Sequence, residues 1–457
     1  MNPVSTIAIF DIGRTNKKFF LINEDYKIVW ERSAQLEEIK DEDGDACEDV
    51  SLLTAWVHET IKVALHLEKF AIKAINFSAY GASLVYLDEK GNVMAPLYNY
   101  LKPFSPELKK TFYTKYGGEE KVSLETASPV LGNLNSAMQL YRLKYEQGGV
   151  FDKIKYALHL PQYISYILTK KPLTDITSIG CHTLLWNFQT NTYHRWTKEE
   201  GIDKKMPPLF SSDDVMEAGV EGYSIKSGIG LHDSSAALIP YLANFTEPFI
   251  LISTGTWCIS FNPFKHEPLT SYQLENDCLC YLQYNGKPVQ ASRLFAGAEH
   301  EEQTKRLAVH FNKKENYYTQ VAFNSLLPDQ KFKASATATS LHKSGFQDRD
   351  LHEFSSYEQA YHCFMQYIVA QQYAATTLVM SHDVTRIFVD GGFGKNSVYM
   401  NLLSAIFPDK EVFAASVSQA TAIGAALAIH EHWNTKPVTS DMIRLKLYAA
   451  AHKTIVE

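Results

Sequence analysis

Apolar and polar positions divide the chain into short strands joined by polar turns, first at its beginning and again near its middle. Residues 4–10 form an apolar run of strand length, residues 11–17 a polar turn, and residues 18–22 a returning strand, with a third at 27–30. This pattern predicts an antiparallel hairpin that opens a domain. Leu52, Leu53, Trp56, Val57, Ile61, Ala64 and Leu65 then recur at helical spacing, so an amphipathic helix precedes an apolar strand at 72–77. Asp88-Glu89-Lys90-Gly91-Asn92 supplies turn chemistry between two apolar runs and predicts a second hairpin over 84–94.

The opening device returns midway as a strand at 249–253, the tip Thr254-Gly255-Thr256, and a strand at 257–261. Asp11-Ile12-Gly13-Arg14-Thr15 and Ser253-Thr254-Gly255-Thr256-Trp257 each place a glycine among hydroxyl or acidic side chains at a hairpin tip. This weak internal repeat predicts two similarly folded lobes, 1–245 and 246–457, joined by a short hinge near 244–247. The last third predicts a strand at 386–390, a glycine turn, a helix from about Ser397, a strand near Val412 and an alanine-rich helix at 419–429.

Length agrees with more than one lobe, because 457 residues exceed a single core of about 150. With 45% hydrophobic and 21% charged residues the chain is of ordinary globular composition. Lys plus Arg number 44 against 51 Asp plus Glu, a net charge of −7, so no diffuse positive field exists to hold nucleic acid or anionic lipid. Any phosphate must be held locally. No run of about 18 apolar residues is present, and the first ten residues lack a basic leader, so neither a membrane partner nor export is expected. Six sparse cysteines fit a reducing cytoplasm better than a disulfide framework.

Glycines at hairpin tips let backbone N–H groups approach a phosphate, and both tips qualify, although each also reads as a plain β-turn. Asp11 ends a buried strand and needs a partner: either turn N–H groups or a Mg²⁺ held mostly through water. Residues 389–396, Val-Asp-Gly-Gly-Phe-Gly-Lys-Asn, follow a strand and precede a helix. They allow close approach of a nucleotide or, with Asn396 as N-cap, form only a tight turn. They are not a Walker A loop, since Val389 and Asn396 stand where Gly and Ser or Thr are required. Residues 228–237 place His232 and Asp233 at the start of a small-residue helix, where Asp233 is either a helix cap or a carboxylate able to accept a hydroxyl proton. Cys278 and Cys280 lack a second pair for zinc, and the acidic stretch 41–49 carries its glycine too early for a calcium loop.

Taken in order, the Asp-x-Gly-x-Thr-Asn hairpin, the Gly-x-x-Asp-x-x-Ala-Ala segment, the Ser-Thr-Gly-Thr hairpin and the late Asp-Gly-Gly-x-x-Lys-Asn turn closely resemble the FGGY carbohydrate kinases over most of the chain. The resemblance implies an α/β fold of two RNase H-like lobes, as in the actin, heat-shock ATPase and sugar kinase superfamily, with an interlobe cleft. It implies Asp233 as catalytic base and Asp11 facing Mg²⁺. Gly13, Arg14, Thr15, Asn16 and Lys17 would form one phosphate hairpin, and Ser253, Thr254, Gly255 and Thr256 the other. Gly391, Gly392, Lys395 and Asn396 would lie on the adenosine side, with Gln419 and Ala420 behind them and Gln303 reaching the cleft from the segment that starts at Arg293. Tyr80, Gly81, Ala82, His232, Asp233 and Ser234 would meet the sugar.

The His232-Asp233 and Tyr80-Gly81 pairs are similar to the rhamnulokinase and L-fuculokinase branches, though Tyr80 stands in place of a usual Trp and Arg14 in place of a frequent Thr. The expected activity is transfer of the γ-phosphoryl group of Mg·ATP to a primary hydroxyl of a ketose, first a 6-deoxyketohexose such as L-rhamnulose or L-fuculose, alternatively a ketopentose. A non-catalytic sugar or nucleotide sensor is the reading from another class. ATP and the ketose are the expected partners, and a homodimer is left open.

Overall fold

The computed structural model describes residues 2–327, 344–439 and 441–449. Its first half builds one large sheet from β1 (Val4–Ile12), β2 (Lys17–Asn23), β3 (Ile28–Ala34), β4 (Phe70–Ala79), β7 (Met216–Val220), β8 (Tyr223–Ser227) and β9 (Leu231–His232). Between β4 and β7 lie β5 (Leu84–Leu87) and β6 (Tyr156–His159), while α1 (Val50–Leu65) precedes β4 and α2 (Asp233–Asn244) follows β9. The strand order is β7-β8-β4-β1-β2-β3, with β9 on the far end of β4.

Ile7 to Phe10 of β1 are all fully buried, because both faces of this strand are covered. Ala8, Phe10 and Ile12 pack with Leu53 and Trp56 of α1. Ile7 and Ile9 face the other way, into a core shared with the second half of the chain. Asp49 starts α1, its Oδ1 accepting from the N–H groups of Ser51 and Leu52.

The first hairpin is tighter than the polar stretch 11–17 suggests. Asp11 and Ile12 remain in β1, paired with Lys18 and Lys17, and only residues 13–16 turn, closed by Gly13 N–H to the Asn16 carbonyl at 3.0 Å. The predicted hairpin at 84–94 forms its turn, where Asp88 Oδ1 accepts from the N–H groups of Lys90 and Asn92, but its return is only a bridge from Leu87 to Val93. Pro96 cannot donate to a ladder, and β5 pairs instead with the distant β6.

The second half repeats the plan with β10 (Phe249–Thr254), β11 (Cys258–Asn262), β12 (Cys278–Leu282), β13 (Pro288–Leu294), β14 (Arg386–Gly391), β15 (Glu411–Ser416) and β16 (Arg444–Tyr448), in the order β12-β13-β11-β10-β14-β15-β16. Its helices are α3 (Ala296–His310), α4 (Tyr357–Val379), α5 (Ser397–Ile406) and α6 (Ala420–Ala428). In each sheet a central strand is antiparallel to its hairpin partner and parallel to a crossover strand: β1 lies beside β4, and β10 beside β14. The register sets Asp11 opposite Ser78 and Ser253 opposite Asp390, which brings hairpin tips and crossover turns together at one end of each sheet.

α2 and α6 pack backbone to backbone between the two sheets: a β-carbon on Gly424 would lie 1.8 Å from the carbonyl oxygen of Ala236. Asn76 Nδ2 donates to the Ala425 carbonyl at 2.8 Å, and Tyr26 Oη is hydrogen-bonded to His430 Nδ1 at 2.6 Å. Ile9 and Phe20 of the first sheet, Leu251 and Phe261 of the second, and Ala422 of α6 belong to one apolar core. Among the described residues no helix is long and apolar enough to cross a membrane.

Candidate active site

Two carboxylates from separate elements face the cleft. Asp11, at the end of β1, accepts a hydrogen bond at Oδ2 from Thr421 Oγ1 of α6 at 2.7 Å. Burial pushes its carboxyl up to about 6, opposed by the Thr421 bond and reinforced by the charge of Asp233. Burial likewise raises Asp233 to about 6, against the N–H and hydroxyl of Ser234, which both donate to its Oδ1. Asp233 is not the cap of α2. That position belongs to His232, which leaves the Asp233 side chain about a third open to the cleft at 34% exposure. Turn N–H groups do not hold Asp11 either; its recorded side-chain partner, Thr421, comes from the other half of the chain.

His232 Nε2 lies 3.3 Å from Asp233 Oδ1 and 3.1 Å from Cys181 Sγ, and its ring stacks on Tyr281 at 5.6 Å. Burial lowers its pKa to about 3, so the imidazole is neutral at ordinary pH. Gly81 is required behind it, because a β-carbon there would come within 2.6 Å of Nε2. Ala82, at φ 63°, gives its carbonyl to Gln139 Nε2 at 2.7 Å, which fixes the loop that carries Tyr80.

At the first hairpin Lys17, expected among the phosphate contacts, lies behind the tip. Lys17 is buried, and its Nζ donates to the carbonyls of Gly13 (3.0 Å) and Arg14 (2.7 Å) and to Glu48 Oε1 (2.7 Å). It braces the tip from behind, its ammonium committed to these three oxygens. Lys18, the cross-strand partner of Asp11, is the one on the cleft side, with Nζ 3.2 Å from Gln419 Oε1. Thr15 and Asn16 are exposed at the tip, and Asn16 Oδ1 accepts from Gln35 Nε2. Arg14 leans sideways, its guanidinium 5.2 Å from the Tyr100 ring centroid and 3.9 Å from Glu38.

The second hairpin borders a cavity of about 570 Å³, lined among others by Thr254, Gly255, Gly297, His300, Gly392 and Lys395. Thr256 lines an adjoining cavity of about 440 Å³. Thr254 is mostly a brace, since its hydroxyl donates to the Asp390 carbonyl at 2.6 Å and accepts from Phe393 N–H at 3.0 Å. Two glycines allow these turns to touch: a β-carbon would lie 1.8 Å from the Gly255 carbonyl oxygen at Gly297, and 2.0 Å from that of Thr254 at Gly391. Asn396 borders the cavity, but its side chain is committed as the N-cap of α5 and to Tyr361 Oη at 2.7 Å. Gln303 does not reach the cleft. It is buried in α3, accepting from Arg306 Nη1, while Gly297, His300 and Thr304 form the cavity face of that helix.

All six cysteines are buried, and among the described residues no group of three His, Cys, Asp or Glu could hold a metal. Mg²⁺ needs no such cage when it keeps its waters, one or two carboxylates being enough. Asp11, buried and disfavoured as an anion, is a residue that a divalent cation would compensate.

A rhamnulokinase from Bacteroides thetaiotaomicron is 26% identical to this chain over 222 residues, 46% of the chain and 44% of that protein. The chain spans about half the length of the curated relatives it matches. A carbohydrate kinase structure from Novosphingobium aromaticivorans is similar at a TM-score of 0.78 and 19% identity, covering 98% of this chain and 95% of that one. A ligand-bound xylulose kinase from Lactobacillus acidophilus is similar at 0.77 and 17%, covering 97% and 94%. These likenesses show the two-sheet sugar kinase fold. Residues 6–239 match the N-terminal domain of the FGGY family of carbohydrate kinases and residues 246–437 its C-terminal domain, so the chain belongs to that family.

Proposed function

We propose that this protein transfers the γ-phosphoryl group of ATP to a primary hydroxyl of a ketose, with Asp233 as the base. The observation that carries this reading is the Asp233 carboxyl: raised to about 6, open to the cleft and close enough to Asp11 for their charges to interact. A carboxylate titrating there is ionised at neutral pH yet basic enough to accept a hydroxyl proton as the bond forms. The sugar oxygen attacks the γ-phosphorus, its proton passes to Asp233, and the bond to the bridging oxygen breaks as ADP leaves. Neutral His232 beside Oδ1 holds the carboxylate in place without lowering its basicity through a positive charge.

Asp11 would hold Mg²⁺, which when bound neutralises charge on the phosphate oxygens. Backbone N–H groups at residues 13–16 and 254–256 would meet the phosphates, and Lys18 rather than Lys17 would supply the positive side chain. The cavity beside Gly297, His300 and Gly392 would take the nucleoside. The lobes 1–245 and 246–457 would divide the work, the first holding sugar and base and the second holding nucleotide. Six sparse cysteines, all buried, support a cytoplasmic setting.

The relationship to a rhamnulokinase and the His232-Asp233 pair support a ketohexose, of which L-rhamnulose and L-fuculose are the first to try. A ketopentose is the second reading, favoured by the polar side chains around Tyr80. The test is ADP release from Mg·ATP against L-rhamnulose, L-fuculose, L-ribulose, D-xylulose and glycerol, with Asp233→Asn in parallel. Ketose-stimulated release that the variant lacks is expected. ATP binding without stimulation by any sugar would overturn catalysis in favour of a sensor.

A further inference from the structure

α3 carries a histidine to which the reading above assigns no bond. His300 stands one helical turn, about 5 Å, beyond Gly297. It lines both the cavity of about 570 Å³ and the adjoining one of about 440 Å³. Gly297 is packed on the Gly255 carbonyl, so the start of α3 is pinned to the second hairpin and His300 keeps a fixed offset from it. The ring is held edge-on by Tyr318, with centroids 4.8 Å apart, and by Phe393 at 5.1 Å.

Hydrogen bonds behind the cavity place its proton. Burial lowers His300 to about 4, so the ring is neutral and carries one N–H. Asn396 Oδ1 accepts from the N–H groups of Val398 and Tyr399, both at 3.1 Å, which turns Nδ2 to donate to Tyr361 Oη at 2.7 Å. The acceptor recorded for the Tyr361 proton among the described residues is then His300 Nε2, at 2.9 Å. With Nε2 accepting, the one proton sits on Nδ1. Nδ1 has no hydrogen-bond partner among the described residues and is not sealed from solvent. Two other polar side chains of the cavity are already spent: Thr254 on the Asp390 carbonyl and Phe393 N–H, and Asn396 on its cap and Tyr361.

We propose that His300 reads the nucleoside, donating from Nδ1 to a hydrogen-bond acceptor of the bound nucleotide, either a ring nitrogen of the base or a ribose oxygen, while the chain from Asn396 through Tyr361 holds the imidazole in the tautomer that can do so. This rests on the nucleotide assignment of the cavity above and names a contact that selects the nucleoside. A neutral N–H adds little to the attraction for phosphate charge, and a donor left unpaired in a closed pocket disfavours a nucleotide that lacks the matching acceptor.

The experiment is calorimetry of Mg·ATP and of analogues that each lack one acceptor: 1-deaza-, 3-deaza-, 7-deaza-, 2′-deoxy- and 3′-deoxy-ATP. Each is titrated into wild type and into His300→Phe, which keeps a ring and loses the donor. ATP should bind wild type about three- to tenfold more tightly than the variant. One analogue should bind wild type more weakly than ATP by a similar factor and lose nothing further in His300→Phe, and its identity separates base from ribose. His300→Asn, whose amide nitrogen takes the place of Nδ1, should recover most of the ATP affinity. His300→Gln, whose amide nitrogen takes the place of Nε2, should not. Wild type binding every analogue as tightly as ATP, or each analogue losing the same factor in both proteins, would overturn the contact. ATP binding with the expected pattern but no ketose-stimulated ADP release would overturn catalysis and leave the contact standing, whereas no ATP binding by wild type would overturn both.

Discussion

Gly81 lies flush against the ring of His232: a β-carbon built on it would stand 2.6 Å from Nε2 and 3.2 Å from Cys181 Sγ. The contact joins the loop after β4 to the first residue before α2. Both sides of the acceptor site are thereby locked to the position of one neutral imidazole.

Gly81→Ala therefore displaces His232, and with it Asp233, without touching either hairpin. kcat/KM for the sugar should fall about 10²-fold, because small misplacements of catalytic groups cost that much. ATP affinity, measured by calorimetry, should stay within about twofold. A comparable loss of ATP binding would show that the two ends of the cleft are not separable.

The base role proposed for Asp233 requires it to be ionised. Its carboxyl titrates at about 6, so kcat/KM should climb with pH up to about 6 and level off above it. Asp11 titrates in the same range and the two charges oppose each other, so the limb should be spread over a wider pH range than that of a single group, and its apparent values belong to the pair. Asp233→Asn should lower kcat by about 10² to 10⁴ and remove the dependence that belongs to Asp233. A flat profile from pH 5 to 8 in the wild type would exclude this assignment.

The same carboxyls weaken the fold at neutral pH. The folded state binds their protons more tightly than the unfolded chain, whose carboxyls titrate near 3.8, so stability is fully present below that value and declines as pH rises through about 6. Asp233→Asn escapes the decline. By thermal denaturation the variant should be more stable than wild type at pH 8, by about 1–2 kcal/mol after allowing for the open third of the side chain, and no more stable at pH 3.5. An equal gain at both pH values would trace it to something other than charge burial.

Gly392 and Gly424 should respond oppositely to alanine. Among the described residues nothing lies within 4 Å of a β-carbon at Gly392, which borders the cavity of about 570 Å³ proposed for the nucleoside, so Gly392→Ala should fold normally and raise KM for ATP about tenfold. At Gly424 the new carbon would meet the Ala236 carbonyl oxygen at 1.8 Å, and overpacking of this kind costs about 1–3 kcal/mol or more. Melting temperature and ATP kinetics on the two variants decide the matter.

The paired hairpins, α2, α5 and the alanine-rich α6 were legible because each is a local apolar pattern with a terminating turn. The roles of the lysines were not. Extending β1 by Asp11 and Ile12, and starting β2 at Lys17, moves the turn inward, and in a strand of period two that decides which lysine stands opposite Asp11. Gln303 failed for the analogous helical reason: residues three, four and seven after Gly297 share its face, and Gln303 is six after it. Thr421, Cys181 and Tyr281 lie far along the chain from the carboxylates and histidine they support, and no local spacing announces them. Spacing from Gly297 to His300 was the one available signal for the nucleotide face of α3.

The bare contact between α2 and α6 also sets the mechanics of the cleft. With Gly424 resting on the Ala236 carbonyl, the two helices touch there through backbone, with no β-carbon at 424 to hold them apart. Were the two halves to close, this contact would act like the spine of a book, since a slide along it would drive backbone into backbone. Asp11, tied to Thr421 in the first turn of α6, and Asp233, opening α2, both sit on that spine. A pivot moves points near its axis least, so such a closure would leave the two carboxylates nearly at their present spacing.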